Sequence, residues 1–477
     1  MNNKIIAALV LLILVGAGVS AQDAVKPVKM TADDSVAFAL AHNIGLTTEN
    51  LKTAIAKRNN DFSWNKLMPT LSVGAALVHP NVASLTIPNP NVPTVTYPGF
   101  GQVANSLIQF TLPSDVWELG LNLTAQWTFS VATIHAINQT AIDYANSQIS
   151  QETARKKLER DVRKSFNQLL ALQEALKLTQ RQITNAETRY NQALSSYKAG
   201  LTSNLQVLQA QVNWENKKPA LADQQLNYNQ ALMAFEMSLG LDVQTPITLD
   251  GSINTDAVTA SLSANDFIAQ HLEQRLDVQS LRGSVASLDN TIKIQESLRL
   301  PSLIVSYTAD PGIGTNFSDS GFFAGSKVTD LTQWKQNTGN FMVALRWQLD
   351  SLIPGFVTAT TIDNLKDQKA QLEQGLAQTK TAAQMEIINL VDRIKKSSGS
   401  LETLALNVEL AQKAYKQTDE AYRAGNQTLA DVQDADVQQQ AALFQVLNEQ
   451  LTLANNLLDL EYALNTSKTE FLKGVKP

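Results

Sequence analysis

The sequence SYKAG at Ser196–Gly200 recurs as AYRAG at Ala421–Gly425, 225 residues further along the chain. The similarity continues beyond the glycine, where Val207 corresponds to Val432 at the same offset. A pattern that recurs at such a distance is typical of a tandem duplication, in which each half repeats one structural unit.

Two further ungapped matches keep the same order along the chain. Residues 31–73 match residues 263–305, and residues 123–130 match residues 343–350. The sequence therefore predicts a first structural repeat, a short linker and a second structural repeat, which cover 22–243, 244–262 and 263–477.

The longest segments have the periodicity of coiled-coil helices. Residues 135–198 contain neither Pro nor Gly. Apolar or small side chains recur there at steps of three and four residues, the pattern of a heptad repeat. The second half repeats this pattern at Leu404, Val408, Ala411, Tyr415, Thr418 and Tyr422. Such helices are far longer than the globular mean of about 11–12 residues.

Each long helix ends in the repeated stretch. Gly200 and Gly425 suit the left-handed position that closes a helix. Ser203 and Thr428 follow at equivalent positions and suit the N-cap of a returning helix. We therefore predict helical hairpins at about 135–240 and 357–468, with Pro219 kinking the first returning helix.

Each of the remaining segments has either the periodicity of a helix or that of a strand. The clearest strand is Trp117–Ser130, where every odd residue is apolar and every even one polar or glycine. The predicted strands are 71–79, 117–130, 303–309 and 340–350, and further helices are expected at 32–67 and 264–299. Polar or Pro- and Gly-rich loops at about 80–116 and 310–339 join the strands of each pair.

A soluble amphipathic sheet and a membrane barrel both fit this alternation. Lengths of 9–14 residues and aromatic residues near the strand ends favour the membrane, the aromatic residues being Trp117, Trp127, Phe129, Tyr307, Phe341 and Trp347. Four strands cannot close a barrel, since the smallest have about eight. Two chains would give a lumen filled by side chains, whereas three chains would give twelve strands and an open pore.

The N-terminus has the features of a secretory signal. Lys4 precedes the apolar segment Ile5–Val15, and Val19–Ala21 fits a small-residue cleavage site. Residues 1–21 are therefore predicted to be a signal peptide, and the alternative is a membrane anchor. The chain has no cysteine, which excludes disulfides, thiolate metal sites and lipidation of an N-terminal cysteine. The net charge of −6 without a basic stripe argues against nucleic acid.

Several motifs in this order resemble those of the outer-membrane efflux protein family, the TolC-like channel-tunnels. They are TADDSVA at Thr31–Ala37, ALAHN at Ala39–Asn43, LEQRLD at Leu272–Asp277, VLQA at Val207–Ala210 and DVQDA at Asp431–Ala435. The resemblance implies a fold that is mainly α with membrane β, in which long helical hairpins form a periplasmic tunnel. It also implies a homotrimer that shares a twelve-stranded outer-membrane β-barrel, without cofactor, catalytic residues or metal site.

The resemblance also suggests a periplasmic gate. Asp431 and Asp434 share one face of the returning helix, and threefold symmetry would ring the entrance with six carboxylates that attract cations. The alternative is two solvated charges that the helix N-terminus stabilises. Tyr422 matches a tyrosine that holds the entrance closed in relatives. Gln427 and Gln206 stand where relatives carry Arg and Asp. Two hypotheses follow: the tip is held by hydrogen bonds instead of ion pairs, or it gates more loosely.

The exposed hairpin tips are the expected docking surface for a periplasmic adaptor. The candidate residues are Gly200, Leu201, Ser203, Gly425 and Thr428. The alternative is that these residues serve only turn geometry, which both glycines would serve in either case.

The favoured hypothesis is an exit duct that exports small molecules with a periplasmic adaptor and an inner-membrane pump. Its location is the outer membrane, in contact with lipid and extending into the periplasm. One alternative is the same architecture serving type I protein secretion, and another is a periplasmic coiled-coil scaffold without a pore. An enzyme is disfavoured, because no catalytic residues are apparent in the sequence. The four histidines, His42, His79, His135 and His271, share no metal-ligand spacing.

Overall fold

The computed structural model describes residues 28–78, 84–88, 94–97, 101–104, 107–111, 118–242, 245–253, 262–309, 312–313 and 339–467. The predicted signal peptide, His79, Trp117 and most of the predicted 310–339 loop lie outside these residues. The chain divides into two compact units. One comprises Met1–Ala54, Ser147–Arg282 and Gly375–Pro477, and the other comprises Ile55–Asn146 and Gly283–Gln374. Each unit draws on both halves of the sequence, so the repeat boundaries stay a prediction.

Helices dominate the described residues, which confirms the predicted fold class. Two of them exceed 60 residues, and each is followed by a returning helix of 36 residues, which gives two long hairpins. The helices are α1 (Ala32–His42), α2 (Ile44–Asp61), α3 (Val131–Lys198), α4 (Asn204–Leu239), α5 (Ala264–His271), α6 (Leu276–Ser297), α7 (Val357–Arg423) and α8 (Leu429–Leu464). In that part of the chain no helix is both long enough and apolar enough to span a membrane.

The predicted helix at 32–67 is broken in the structure. Asn43 has an extended backbone between α1 and α2, and α2 is followed by a 3₁₀ turn at Ser63–Leu67. The Asn43 side chain accepts a hydrogen bond from the backbone N–H of Leu46 at 3.0 Å and donates one to the carbonyl of Ser238 at 2.8 Å. These bonds satisfy polar groups at the break, one of them through a residue far away in the sequence.

The predicted helix at 264–299 is broken at the equivalent place. A 3₁₀ turn follows α5, and the backbone of Arg275 is extended before α6 begins. The buried Arg275 guanidinium donates to the carboxylates of Asp277 at 2.8 Å and Glu386 at 2.7 Å. Burial opposes its charge, yet these two carboxylates raise the pKa of Arg275 overall.

The described residues form eleven strands, five of which build one antiparallel sheet. The strands are β1 (Val28–Met30), β2 (Thr70–Val78), β3 (Ser84–Pro88), β4 (Thr94–Tyr97), β5 (Gly101–Ala104), β6 (Leu107–Thr111), β7 (Glu118–Phe129), β8 (Ile247–Leu249), β9 (Ser302–Ala309), β10 (Gly312–Ile313) and β11 (Asn340–Arg346). The sheet order is β2-β7-β9-β11, with β10 beside the start of β7. Among the described residues neither β2 nor β11 has a partner on its outer side, so both edges of the sheet are free.

Two predictions for the strand region are wrong in detail. The strand expected at 340–350 ends at Arg346, which pairs with Ser302. The neighbouring Pro301 has no N–H with which to extend the ladder. Trp347 and Leu349 consequently lie beyond the strand. The predicted 80–116 loop contains two short antiparallel pairs, β3 with β6 and β4 with β5.

The sheet has one apolar and one polar face. The register keeps odd-numbered residues of all four strands on the same face. The exposed apolar side chains of that face include Leu71, Val73, Leu123, Leu303, Tyr307, Phe341, Val343 and Leu345. The even-numbered face carries Thr70, Asn122, Thr124 and Gln126, and the Thr124 hydroxyl is hydrogen-bonded to that of Thr308 at 3.3 Å.

The unit that contains the hairpins has a separate apolar core for each sequence half. In the first half Phe166 of α3 packs against Phe235 of α4, with ring centroids 6.2 Å apart. In the second half Ile387 of α7 packs with Leu460 of α8 and Phe267 of α5. Further along the hairpins α3 also packs on α8, so the two hairpins are joined along their lengths.

Candidate functional site at the helical hairpin tips

The first tip is closed by a glycine in the left-handed conformation. Gly200 follows α3 with φ at +71°, where a side chain would be strained. The Gly200 N–H donates to the carbonyl of Tyr197 at 2.9 Å, and the Leu201 N–H donates to that of Ser196 at 2.9 Å. These bonds satisfy carbonyls that the last turn of a helix otherwise leaves free.

The second tip has the same geometry. Gly425 has φ at +80°. Its N–H donates to the Tyr422 carbonyl at 3.0 Å, and the Asn426 N–H donates to the Ala421 carbonyl at 2.9 Å. Open space surrounds both tip glycines. Backbone conformation rather than crowding therefore requires glycine here.

The returning helices begin with side-chain caps of different strength. The Ser203 hydroxyl accepts a bond from the Gln206 N–H at 3.4 Å. Thr428 and Asp431 form a reciprocal capping box. The Asp431 carboxylate accepts from the hydroxyl of Thr428 at 2.7 Å and from its N–H at 2.8 Å. These hydrogen bonds hold the pKa of Asp431 below its usual value.

Asp431 and Asp434 therefore differ, although both are exposed on α8. The Asp431 carboxylate is held by its own helix terminus. Asp434 lies one turn further along, and within the described residues it has no hydrogen bond or ion pair. Asp434 is consequently the freer charge of the predicted pair.

Within one chain, no hydrogen bond joins the other predicted gate residues to one another. Tyr422 packs partly buried into an apolar cluster with Ala193, Val207 and Leu429. We call this group the tip cluster. Gln206 accepts a hydrogen bond from the Thr202 hydroxyl. Gln427 is exposed and makes no hydrogen bond to the described part of the chain.

A buried ion pair just behind the tips was missed by the sequence analysis. The Arg189 guanidinium on α3 contacts the Asp419 carboxylate on α7, and their side chains are only 10% and 13% exposed. Arg189 also donates to the Tyr415 hydroxyl at 3.1 Å and to the Gln192 side chain at 3.0 Å. This network joins α3 to α7, the long first helices of the two hairpins. The repeat comparison could not reveal it, because the equivalent positions hold Ala414 and Leu194.

The returning helices are joined by a second polar pair. The ammonium of Lys217 on α4 lies 3.9 Å from the carboxylate of Asp436 on α8, and both side chains are largely buried. Burial raises the pKa of Asp436, and the charge of Lys217 opposes that rise. Nearby, the rings of Tyr190 and Trp214 stack with centroids 5.5 Å apart. Each helix of one hairpin is thus tied to a helix of the other.

We expect Arg189→Met to destabilise the protein strongly. The change would leave the Asp419 carboxylate buried without its partner, which typically costs about 3–5 kcal/mol. The matched control is Lys413→Met on α7, which removes an exposed pair with Glu409 and should have little effect, because exposed ion pairs contribute little to stability. Thermal unfolding followed by circular dichroism measures both effects.

The double variant Arg189→Met/Asp419→Leu should recover most of that stability, because it removes both buried charges together. Equal melting temperatures for Arg189→Met and Lys413→Met would contradict a structural role for the pair.

Comparison with known proteins identifies the family. The model of the outer membrane efflux protein family matches residues 89–241 and 267–466, which is well over half of the chain. No curated protein sequence gives a significant match.

Solved outer-membrane channels share the fold. The CmeC channel of Campylobacter jejuni is 15% identical, with a TM-score of 0.70 over 93% of this chain and 90% of that chain. The open state of the Neisseria gonorrhoeae MtrE channel is 16% identical, with a TM-score of 0.67 over 91% and 89%. VceC of Vibrio cholerae is 15% identical, with a TM-score of 0.66 over 91% and 96%.

At these identities the likeness to solved structures concerns the fold, and the family match carries the assignment. The chain belongs to the outer membrane efflux protein family, a family of outer-membrane channels rather than of enzymes.

Proposed function

We propose that the protein is the homotrimeric exit duct of a tripartite efflux system that exports small molecules. A periplasmic adaptor and an inner-membrane pump are its partners. The observation that carries this proposal is the open sheet β2-β7-β9-β11, whose two outer edges have no partner strand among the described residues and which has one exposed apolar face.

The free edges support assembly from several copies. Unpaired backbone N–H and C=O groups are not tolerated in lipid, so strands there form closed barrels. The strands alternate in direction across the sheet, so β11 of one copy can pair antiparallel with β2 of the next. Two copies give a small barrel that side chains fill, and three copies give twelve strands around an open lumen.

The two faces of the sheet fit such a barrel. The odd-numbered apolar face suits lipid, and the even-numbered face with Thr124 and Gln126 suits a watery lumen. The long helices continue the lumen into the periplasm in this proposal, and the hairpin tips form its entrance.

The entrance is selective for cations in this proposal. Threefold symmetry brings three copies of Asp434 and three of Asp431 to one ring, and carboxylate rings favour cations. Asp434 contributes most, because its carboxylate has no partner among the described residues, whereas Asp431 is engaged by Thr428. Tyr422 anchors the closed tip through the tip cluster. Gln427 and Gln206 are available for hydrogen bonds between copies.

The test is ion selectivity of the purified full-length protein in planar lipid bilayers. The wild type should give stable conductance steps and a cation-selective reversal potential across a salt gradient. Asp434→Asn should move the reversal potential toward zero, and Asp431→Asn should move it less. The matched control is Asp223→Asn, which removes an exposed carboxylate on the other returning helix, α4. This change should leave the reversal potential unchanged.

Two outcomes would count against the proposal in different ways. A folded oligomer that gives no conductance steps contradicts the channel itself. Steps whose selectivity is the same in wild type, Asp434→Asn and Asp223→Asn contradict the carboxylate ring and leave the channel intact.

The adaptor docks at the tips in this proposal, and the first tip offers the more apolar surface. Leu201 is 81% exposed, and Leu205 and Leu208 continue an exposed stripe on α4. The equivalent residues of the second tip are Asn426, Ala430 and Gln433. The turn residues Gly200, Ser203, Gly425 and Thr428 hold both tips in shape for the partner.

Leu201→Ser should weaken adaptor binding without changing the assembly. A fully buried leucine contributes about 1.5–3 kcal/mol, which corresponds to about a tenfold or larger increase in the adaptor Kd. Asn426→Ser at the equivalent position of the second tip is the matched control and should have a small effect. Binding to immobilised adaptor measures Kd, and size-exclusion chromatography checks the oligomer. An unchanged Kd for Leu201→Ser would place the contact elsewhere.

A further inference from the structure

A buried polar layer lies behind the tip cluster, where the four hairpin helices are in contact. The Arg189–Asp419 pair joins α3 to α7, and the Lys217–Asp436 pair joins α4 to α8. The charge of Arg189 also acts on Asp436, so the two pairs belong to one layer. This layer contains two cations and two carboxylates.

The two ion pairs differ in how closely their partners fit. The Arg189 guanidinium contacts the Asp419 carboxylate directly and donates two further hydrogen bonds. The Lys217 ammonium lies 3.9 Å from Oδ2 of Asp436, which is beyond hydrogen-bond distance. The Asp436 side chain is nevertheless only 13% exposed. Asp436 is therefore a buried carboxylate whose counter-charge fits loosely.

The polar layer surrounds Asp436 with side chains from all four helices. They are Asn185 and Arg189 of α3, Lys217 of α4, Tyr415 and Asp419 of α7 and Gln440 of α8. Burial raises the pKa of Asp436, and the charge of Lys217 and a hydrogen bond from Asn185 oppose this rise without cancelling it.

The hydrogen-bonding groups beside Asp436 suit its protonated form. Asp436 Oδ1 and Gln440 Oε1 are both buried acceptors without a partner among the described residues. Gln440 follows Asp436 by one helical turn, and its amide is within hydrogen-bond reach of the carboxyl group. An ionised carboxylate can only accept hydrogen bonds, whereas a protonated one also donates. Protonation therefore removes a buried charge and lets Asp436 donate to Gln440.

The direction of the pH effect follows from the raised pKa of Asp436. When α4 and α8 are apart, water reaches the carboxyl group, and its pKa is the ordinary value of about 3.9. Between this value and the raised one, the joined state binds more protons than the separated state. Acid therefore strengthens the joined state in that window, and a rise in pH weakens it.

The Lys217–Asp436 pair lies beside a weak point of α4. Pro219 stands inside the helix, two residues after Lys217. Because proline has no N–H, one main-chain hydrogen bond is missing there, and helices bend at such positions. On the tip side of Pro219, α4 is held by Lys217 and by the tip cluster, where Val207 packs near Leu429 of α8. This end of α4 can move about Pro219 when these contacts loosen.

We propose that Lys217, Asp436 and Gln440 form an acid-tightened latch between the hairpins. Protonation of Asp436 holds α4 against α8, and its ionisation at neutral pH loosens the tips. The latch is separate from the exposed carboxylates of Asp431 and Asp434, because Asp436 is buried between helices of one chain. Its effect on the entrance rests on the proposed function, whereas the pH-dependent contact between α4 and α8 does not.

Thermal unfolding of the full-length protein at neutral pH and at about pH 4 tests the latch. Asp436→Asn keeps the shape of the side chain without its charge. It should raise the melting temperature by about 1–2 °C at neutral pH, and the gain should largely disappear at about pH 4, where Asp436 of the wild type is itself protonated. The matched control is Asp223→Asn, which removes an exposed carboxylate of α4 and should have little effect at either pH.

Lys217→Met is the second variant, and it keeps the test decisive if Asp436→Asn does not fold. Without the ammonium, Asp436 is buried with no counter-charge of its own. Lys217→Met should therefore lower the melting temperature most at neutral pH and less under acidic conditions. The latch would be overturned by a gain for Asp436→Asn that is the same at both pH values, or by a loss for Lys217→Met that is greater in acid.

Single-channel recording tests the effect of the latch on the entrance. The fraction of time that the wild-type channel is open should fall on acidification. Asp436→Asn, which retains Asp431 and Asp434, should be open less often at neutral pH and should respond less to acid. An equal response in both proteins would overturn the effect on the entrance. Expected melting temperatures without any conductance steps would contradict the proposed channel and support the latch.

Discussion

The main energetic problem of this fold lies at the outer backbone edges of β2 and β11. Their N–H and C=O groups have no partner among the described residues, and in lipid each unsatisfied group costs several kcal/mol. The apolar odd-numbered face leaves the sheet unsuited to water. In the proposed assembly, pairing with other copies satisfies both edges.

The two hairpin tips share one backbone turn but differ in their side chains. Both tips use the same glycine turn, so the backbone is equivalent in each half. The side chains differ, because Leu201 is replaced by Asn426 and the weak Ser203 cap by the Thr428–Asp431 capping box. Behind the tips, Arg189 with Asp419 and Lys217 with Asp436 join the hairpins through charges that are costly to separate.

Much of the fold could be predicted because its signals are local. The hairpins follow from apolar periodicity and from Gly200 and Gly425, and the strands follow from alternation. The helix breaks at Asn43 and Arg275 could not be predicted, because their stabilising partners, Ser238 and Glu386, are distant in sequence. The Arg189–Asp419 pair escaped for the same reason. The alternation through Trp347 and Leu349 predicted a longer strand, although side-chain periodicity does not require a hydrogen-bonded neighbour.

Disulfide cross-linking between edge strands can show whether copies of the chain pair through β2 and β11, because the chain has no cysteine of its own. Ser72→Cys in β2 would be combined in turn with Met342→Cys, Ala344→Cys or Arg346→Cys in β11, all on the even-numbered face. Facing residues on paired strands lie within disulfide reach. We expect at least one oxidised pair to give a covalent product that ends at the trimer on a denaturing gel. A series that ends at the dimer, one that extends past the trimer, or no cross-linked product from any pair would contradict it.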